Sequence, residues 1–136
     1  MQKGPYYLAI PYQGTDAEKK VRTELSLKAA AEFLRQGIYL FSPVLYVNEI
    51  AEEIGFTSLE KRRAIVMPYL LDFLKVSRGL VLMSIEGWQD SWGVQQELKF
   101  CQENHIPIYK MGGGQLSENL VNILATPWDP SEMSFW

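Results

Sequence analysis

Residues 79–101, GLVLMSI followed by EGWQDSWGVQQELKFC, decide the fold. The apolar run Gly79 to Ile85 has the length of a strand and gives way to a loop rich in Gly, Trp and Asp. That loop hands over to a helical period in which Val94, Leu98 and Cys101 share one face. A strand entering a helix puts Gly87 to Ser91 at the strand's carboxyl end, where open α/β sheets hold their ligands. Glu97 then falls about two turns into the helix, within reach of a molecule bound at that mouth. It is the first candidate for chemistry.

Upstream, the short run Tyr6 to Ile10, bounded by Pro5 and Pro11, reads as a buried first strand. Thr15-Asp16-Ala17-Glu18 has the form of a capping box and opens a helix with apolar positions Val21, Leu25, Ala29, Phe33 and Leu34, which Gly37 stops. Ile38 to Phe41 is a second strand, ended by Ser42-Pro43. From Leu45 to Arg63 the period blurs. Short helical pieces are expected at Val47 to Ile54 and after the second capping-box pattern, Thr57 to Glu60, together forming an insertion over the site. Pro68 predicts a separate or kinked helix from Pro68 to Ser77, carrying Asp72. Downstream, the helix Trp92 to Asn104 leads to a fourth strand at Ile106 to Tyr109, a turn at Gly112 to Gly114, a last helix at Leu116 to Leu124 and a tail from Thr126 to Trp136. Strands alternating with helices predict an α/β fold, three layers around a mainly parallel sheet of four or five strands.

The chain has 136 residues, 47% of them apolar, which fits a single domain spanning residues 1–136. Its 13 basic and 16 acidic residues leave a formal charge of -3, without the basic excess that binding a nucleic-acid backbone demands. A single cysteine, Cys101, excludes an intrachain disulfide and a CxxC pair, and fits a cytoplasmic setting. No apolar run approaches the length of a membrane span, so no membrane partner is expected.

The loops after the first three strands carry Tyr12 to Thr15, Ser42-Pro43 and Glu86 to Ser91, and in a parallel sheet they share one rim. Ser91 near a helix start can offer its hydroxyl beside unpaired backbone donors to a phosphate or sugar, or can simply cap the helix. Asp72, between Leu71 and Phe73, is either a second carboxylate for glycosidic chemistry or a first-turn residue favoured by the helix dipole. Asp90 is a third carboxylate candidate. Trp88 and Trp92 can stack on a base or serve the core. His105 is assigned no role, and with no second histidine neither a metal nor another cofactor is expected.

The motifs Tyr7-Leu8-Ala9-Ile10-Pro11-Tyr12, Phe41-Ser42-Pro43, Asp72 and Gly87-Trp88-x-x-Ser91-x-Gly93-Val94-x-x-Glu97, in that order, resemble a bacterial and phage domain family of unknown function in the nucleoside 2-deoxyribosyltransferase-like superfamily. The resemblance covers Tyr6 to Ile108. It implies a Rossmann-like or flavodoxin-like sheet and cleavage of the N-glycosidic bond of a deoxynucleoside or its 5′-monophosphate. Glu97 would be the nucleophile and Ser91 the 5′-phosphate contact. Asp72 would lie near base and sugar, assisting catalysis, and Tyr7 would be an aromatic at the first strand. Pro11, Tyr12, Ser42, Pro43, Gly87, Trp88 and Gly93, which stand in these motifs, complete the expected substrate site together with Gly14 and Asp90 of the rim loops. Two departures bear on the activity: Arg78 stands where relatives often carry Asp, and Asp90-Ser91-Trp92-Gly93 replaces the Asp-Gly-Thr approach of the transferases. Relatives also borrow C-terminal residues from a neighbouring subunit, and a homo-oligomer is expected here from the aromatic end Phe135-Trp136. The alternative is a non-catalytic nucleotide-binding or sensing module on the same rim. A flavodoxin or phospho-receiver domain would share the topology, but the Ser/Thr-rich phosphate cradle and the paired Asp of those proteins are missing.

Overall fold

The computed structural model describes residues 4–130. Four strands, β1 (Tyr6–Ala9), β2 (Leu40–Phe41), β3 (Gly79–Met83) and β4 (Ile108–Met111), form one sheet in the order β2-β1-β3-β4, and every neighbouring pair is parallel. The helices are α1 (Asp16–Arg35), α2 (Pro43–Ile54), α3 (Leu59–Lys75), α4 (Trp92–Glu103) and α5 (Leu120–Ile123), with short 3-10 turns at Trp88–Asp90 and Gly113–Ser117. This is the expected α/β, Rossmann-like, three-layer architecture with a four-stranded sheet.

Strand alternation divides the core between the two faces. Tyr7, Ala9, Leu80 and Leu82 pack with Leu70 and Leu74 of α3 and with Val94, Leu98 and Cys101 of α4. Leu8, Ile10, Val81 and Met83 pack instead with Ala29 and Phe33 of α1 and Leu120 of α5. Apart from Tyr6 at the start of β1, the central strands are buried because helices cover both faces, which is why they read as unbroken apolar runs. From β1 the chain leaves through α1 over one face, and from β3 it leaves through α4 over the other. The connections therefore diverge between β1 and β3, opening a crevice at the carboxyl ends of those two strands.

Local chemistry sets the helix starts. The Thr15 hydroxyl accepts from Glu18 N at 3.1 Å while Thr15 N donates to Glu18 Oε1 at 2.8 Å, a complete capping box. Ser42, Ser58 and Ser91 cap α2, α3 and α4, each accepting from the backbone N–H three residues on.

Several boundaries differ from the sequence expectation. Helix α2 begins at Pro43, four residues before Val47, because Ser42 caps it and proline is suited to a first turn. Helix α3 runs unbroken through Pro68 rather than starting there. Pro68 and Ala64 are both exposed, so water can serve the carbonyl that the proline leaves without a helical donor. The last helix shrinks to Leu120–Ile123, with the residues before it wound into the 3-10 turn. Strand β4 lies two residues later than expected. Phe135 and Trp136, on which the sequence-based expectation of an oligomer rested, lie outside the described residues.

Candidate active site

Glu97 is carried on the apolar face of α4, between the buried side chains of Val94 and Cys101, and is only 6% exposed. Tyr7, at the second position of β1, points to the same side of the sheet and is fully buried. Its hydroxyl donates to Glu97 Oε2, joining residues 90 positions apart in the chain. Among the described residues no cation pairs with Glu97. Burial in this apolar seat pushes its carboxyl up to about 8, while the Tyr7 hydrogen bond pulls the other way. The Tyr7 phenol is itself driven well above its ordinary range by burial and then by the Glu97 charge. The Cys101 thiol, one turn on, is pushed up by the same two causes and stays protonated.

Glu97 opens into a cavity of about 350 Å³ at the switch point between β1 and β3. One wall is the sheet rim: Ile10 to Gln13 after β1, then Gly87 and Asp90 to Gly93 after β3. The facing wall is the α2–α3 arm, which contributes Pro43, Val44, Val47 and Asn48 from α2 and Leu59, Arg62, Arg63, Val66, Met67 and Leu70 from α3.

Arg22 of α1 ties the rim together. It is 8% exposed, and its guanidinium donates to Gln13 O at 2.8 Å and to Glu86 O at 3.3 Å, clipping the loop after β1 to the loop after β3. Glu18 lies 3.7 Å away as its counter-charge. Gly87 sits beside this clip with φ 91°, a left-handed conformation, and a β-carbon there would come within 3.2 Å of Arg22 Nη2.

Of the residues singled out from sequence, the structure gathers Glu97, Pro11, Tyr12, Pro43, Gly87, Asp90, Ser91 and Gly93 around this one cavity, and Tyr7 reaches it through Glu97. The others are placed elsewhere. Asp72 is exposed on α3, since Leu70 and Leu74 face the core and a residue midway between them on a helix points away. The hydroxyl of Ser42 is buried as the cap of α2. Gly14 packs beside Glu18 and Arg22, outside the lining. Trp88 is buried edge-on against Trp128, ring centroids 5.9 Å apart, and belongs to the core rather than to the cavity. Trp92 does line the cavity, with the Arg63 guanidinium 4.7 Å from its ring centroid. Three arginines, Arg22, Arg62 and Arg63, were not singled out. For the last two a signal existed: Arg62, Val66 and Leu70, with Arg63 and Met67, repeat every four residues, and a helix starting after Ser58 aligns the first two turns of that row, although only one continuous through Pro68 carries it on to Leu70.

A parallel α/β sheet with a lined cavity at its switch point defines the class of protein. A family model described as a domain of unknown function, DUF1937, matches residues 4–113, and the chain belongs to that family. The match includes every residue that lines the cavity. No curated protein matches the chain.

Proposed function

We propose that this protein is a member of the nucleoside 2-deoxyribosyltransferase-like superfamily and cleaves the N-glycosidic bond of a deoxynucleoside or its 5′-monophosphate, with Glu97 as nucleophile. The observation that carries this reading is the buried Glu97 carboxyl, oriented by Tyr7 and opening into the switch-point cavity. The motif resemblance of the sequence supports it.

With Oε2 held by Tyr7, Oε1 is the oxygen free to attack C1′. The new C1′–O bond forms as the C1′–N bond breaks and its electron pair leaves with the base. The proton that the departing base takes up comes from solvent, through a water that Asp90, the other carboxyl group in the lining, can orient. Water, or a second base, then displaces Glu97 from C1′ and restores the carboxylate. Two displacements give net retention at the anomeric carbon. Burial of the nucleophile has a cost: only its ionised form attacks, so kcat/KM should rise with pH and level off above about 8.

A second reading, a non-catalytic nucleotide-binding or sensing module, draws on the same observation, because a carboxyl kept protonated below about pH 8 is a hydrogen-bond donor to a ligand. Chromatographic detection of free base from a panel of deoxynucleosides and their 5′-monophosphates separates the two. The catalytic reading expects release by wild type and none by Glu97→Gln. Binding without release by either protein favours the module.

The proposed partner is a small molecule rather than a nucleic acid or a membrane, in a cytoplasmic setting. No helix among the described residues is long and apolar enough to cross a membrane. Homo-oligomerisation is part of the proposal. It is supported by the outward side of the arm, where Tyr46, Ile50, Ile54, Ile65 and Tyr69 are all exposed.

A further inference from the structure

The charge in the cavity runs against the charge of the chain. The whole sequence is acidic at -3, yet the lining holds three arginines against two carboxyl groups, Asp90 and Glu97. Glu97 is buried and bonded to Tyr7, which leaves Asp90 as the one other carboxyl group in the lining to answer them.

The three arginines are not equivalent. Arg22 is engaged by two carbonyls and by Glu18. Arg62 and Arg63 are half-buried and, among the described residues, form no ion pair with a carboxylate. Neutral groups orient them instead. Arg62 donates one hydrogen bond, 2.8 Å, to Asn48 Oδ1, and Arg63 lies over the Trp92 ring. A guanidinium carries five N–H donors in a planar fork, so one bond or one stacked face fixes its plane and leaves most donors unspent. Two such forks, adjacent on α3 and lining one cavity, are preorganised for the oxygens of a phosphate.

We infer that the ligand of this cavity is anionic, a nucleoside 5′-monophosphate rather than the neutral nucleoside, and that Arg62 and Arg63 bind its phosphate. This rests on the proposed nucleotide chemistry of the site and narrows its substrate class. The phosphate lies towards the arm, the sugar towards Glu97. Ser91 can add a donor, since its oxygen accepts from Val94 N and its own O–H is still available.

The test is isothermal titration of the full chain with matched pairs of deoxynucleoside and 5′-monophosphate, using inorganic phosphate as a competitor and assaying free base in the same samples. The monophosphate should bind at least about 10-fold more tightly than its nucleoside. That ratio should shrink as salt rises from 50 to 500 mM, because a half-buried charge contact is still partly screened. In the Arg62→Gln/Arg63→Gln variant the ratio should fall towards one. Equal affinity of wild type for both members of each pair would overturn the inference, as would a ratio that the double variant retains. Inorganic phosphate binding as tightly as the nucleotide would also overturn it, by showing a phosphate site without nucleotide recognition. Should the double variant fail to fold, the wild-type ratio and its salt dependence still decide. Preference for the monophosphate without base release would sink the catalytic reading and leave this one standing. Base release at equal efficiency from both substrates would do the reverse.

Discussion

On the sheet side of the cavity Tyr7 and Glu97 are buried and bonded to each other, whereas on the arm side Arg62 and Arg63 are half-buried and lean on the neutral partners Asn48 and Trp92. The first wall belongs to a closely packed layer of the core, with Leu80, Leu82 and Leu98 fully inaccessible around it. The second belongs to a helical pair whose outer side still shows Ile50, Ile54 and Ile65 to solvent. Chemistry that depends on a carboxyl of raised proton affinity needs the dry wall, because burial is what raises that affinity here. Recognition of a charged group suits the wetter wall, where a guanidinium can stay ionised and meet a ligand.

The contrast breaks most sharply at Glu97. Glu97→Gln should lower base release by at least about 1,000-fold, measured as initial rate at saturating substrate. A loss of less than about tenfold would remove Glu97 from the chemistry.

The same substitution should stabilise the fold at high pH. The folded carboxyl titrates at about 8 against an ordinary value of 4.5, so the folded state binds the proton more tightly than the unfolded chain does. That contribution to stability is complete below about 4.5 and is lost as pH rises through 8. Glutamine does not ionise and escapes the loss. Thermal melts should therefore show Glu97→Gln more stable than wild type at pH 9, by roughly 3 to 5 kcal/mol as an upper bound, with the gap closing towards pH 5. Melts that coincide across this range would show that the carboxyl is not buried as described.

Tyr7→Phe sharpens the comparison within the sheet wall. Removing the hydroxyl takes away the one interaction that lowers the Glu97 carboxyl, so the rise of kcat/KM should move to higher pH. Losing a charge-assisted hydrogen bond should reduce the plateau by about 10- to 100-fold. A pH profile superimposable on wild type would mean that Tyr7 serves packing alone.

The smallest effect is expected on the arm's outer side. Asp72→Asn should leave base release unchanged and shift stability by no more than about 0.5 kcal/mol, since the residue is exposed and off the cavity. A large loss of activity would place Asp72 in the site of an assembled oligomer rather than of the single chain.

Most of the sheet wall was legible in the sequence because its signals are local. Strands β1 and β3 read as apolar runs, Ser91 and the period Val94, Leu98, Cys101 announced α4, and the place of Glu97 followed from helical geometry. The arm was illegible for two physical reasons. Its helices are apolar on both sides, as the buried Val47 and Leu70 and the exposed Ile50 and Ile65 show, so no single stripe stands out. Pro68 also marked a break that an exposed helix surface tolerates. Arg22 was missed because its role is purely tertiary: the carbonyls it joins belong to residues 13 and 86, and no spacing rule connects them.

The most direct test of the central claim is peptide mapping by mass spectrometry after acid quench, with the protein incubated with a 2′-fluoro-2′-deoxynucleoside 5′-monophosphate, whose fluorine slows breakdown of a glycosyl intermediate. A fluorodeoxyribosyl phosphate adduct on Glu97, lost in Glu97→Gln, is the predicted result. Base release without an adduct, or an adduct on another residue, would contradict it.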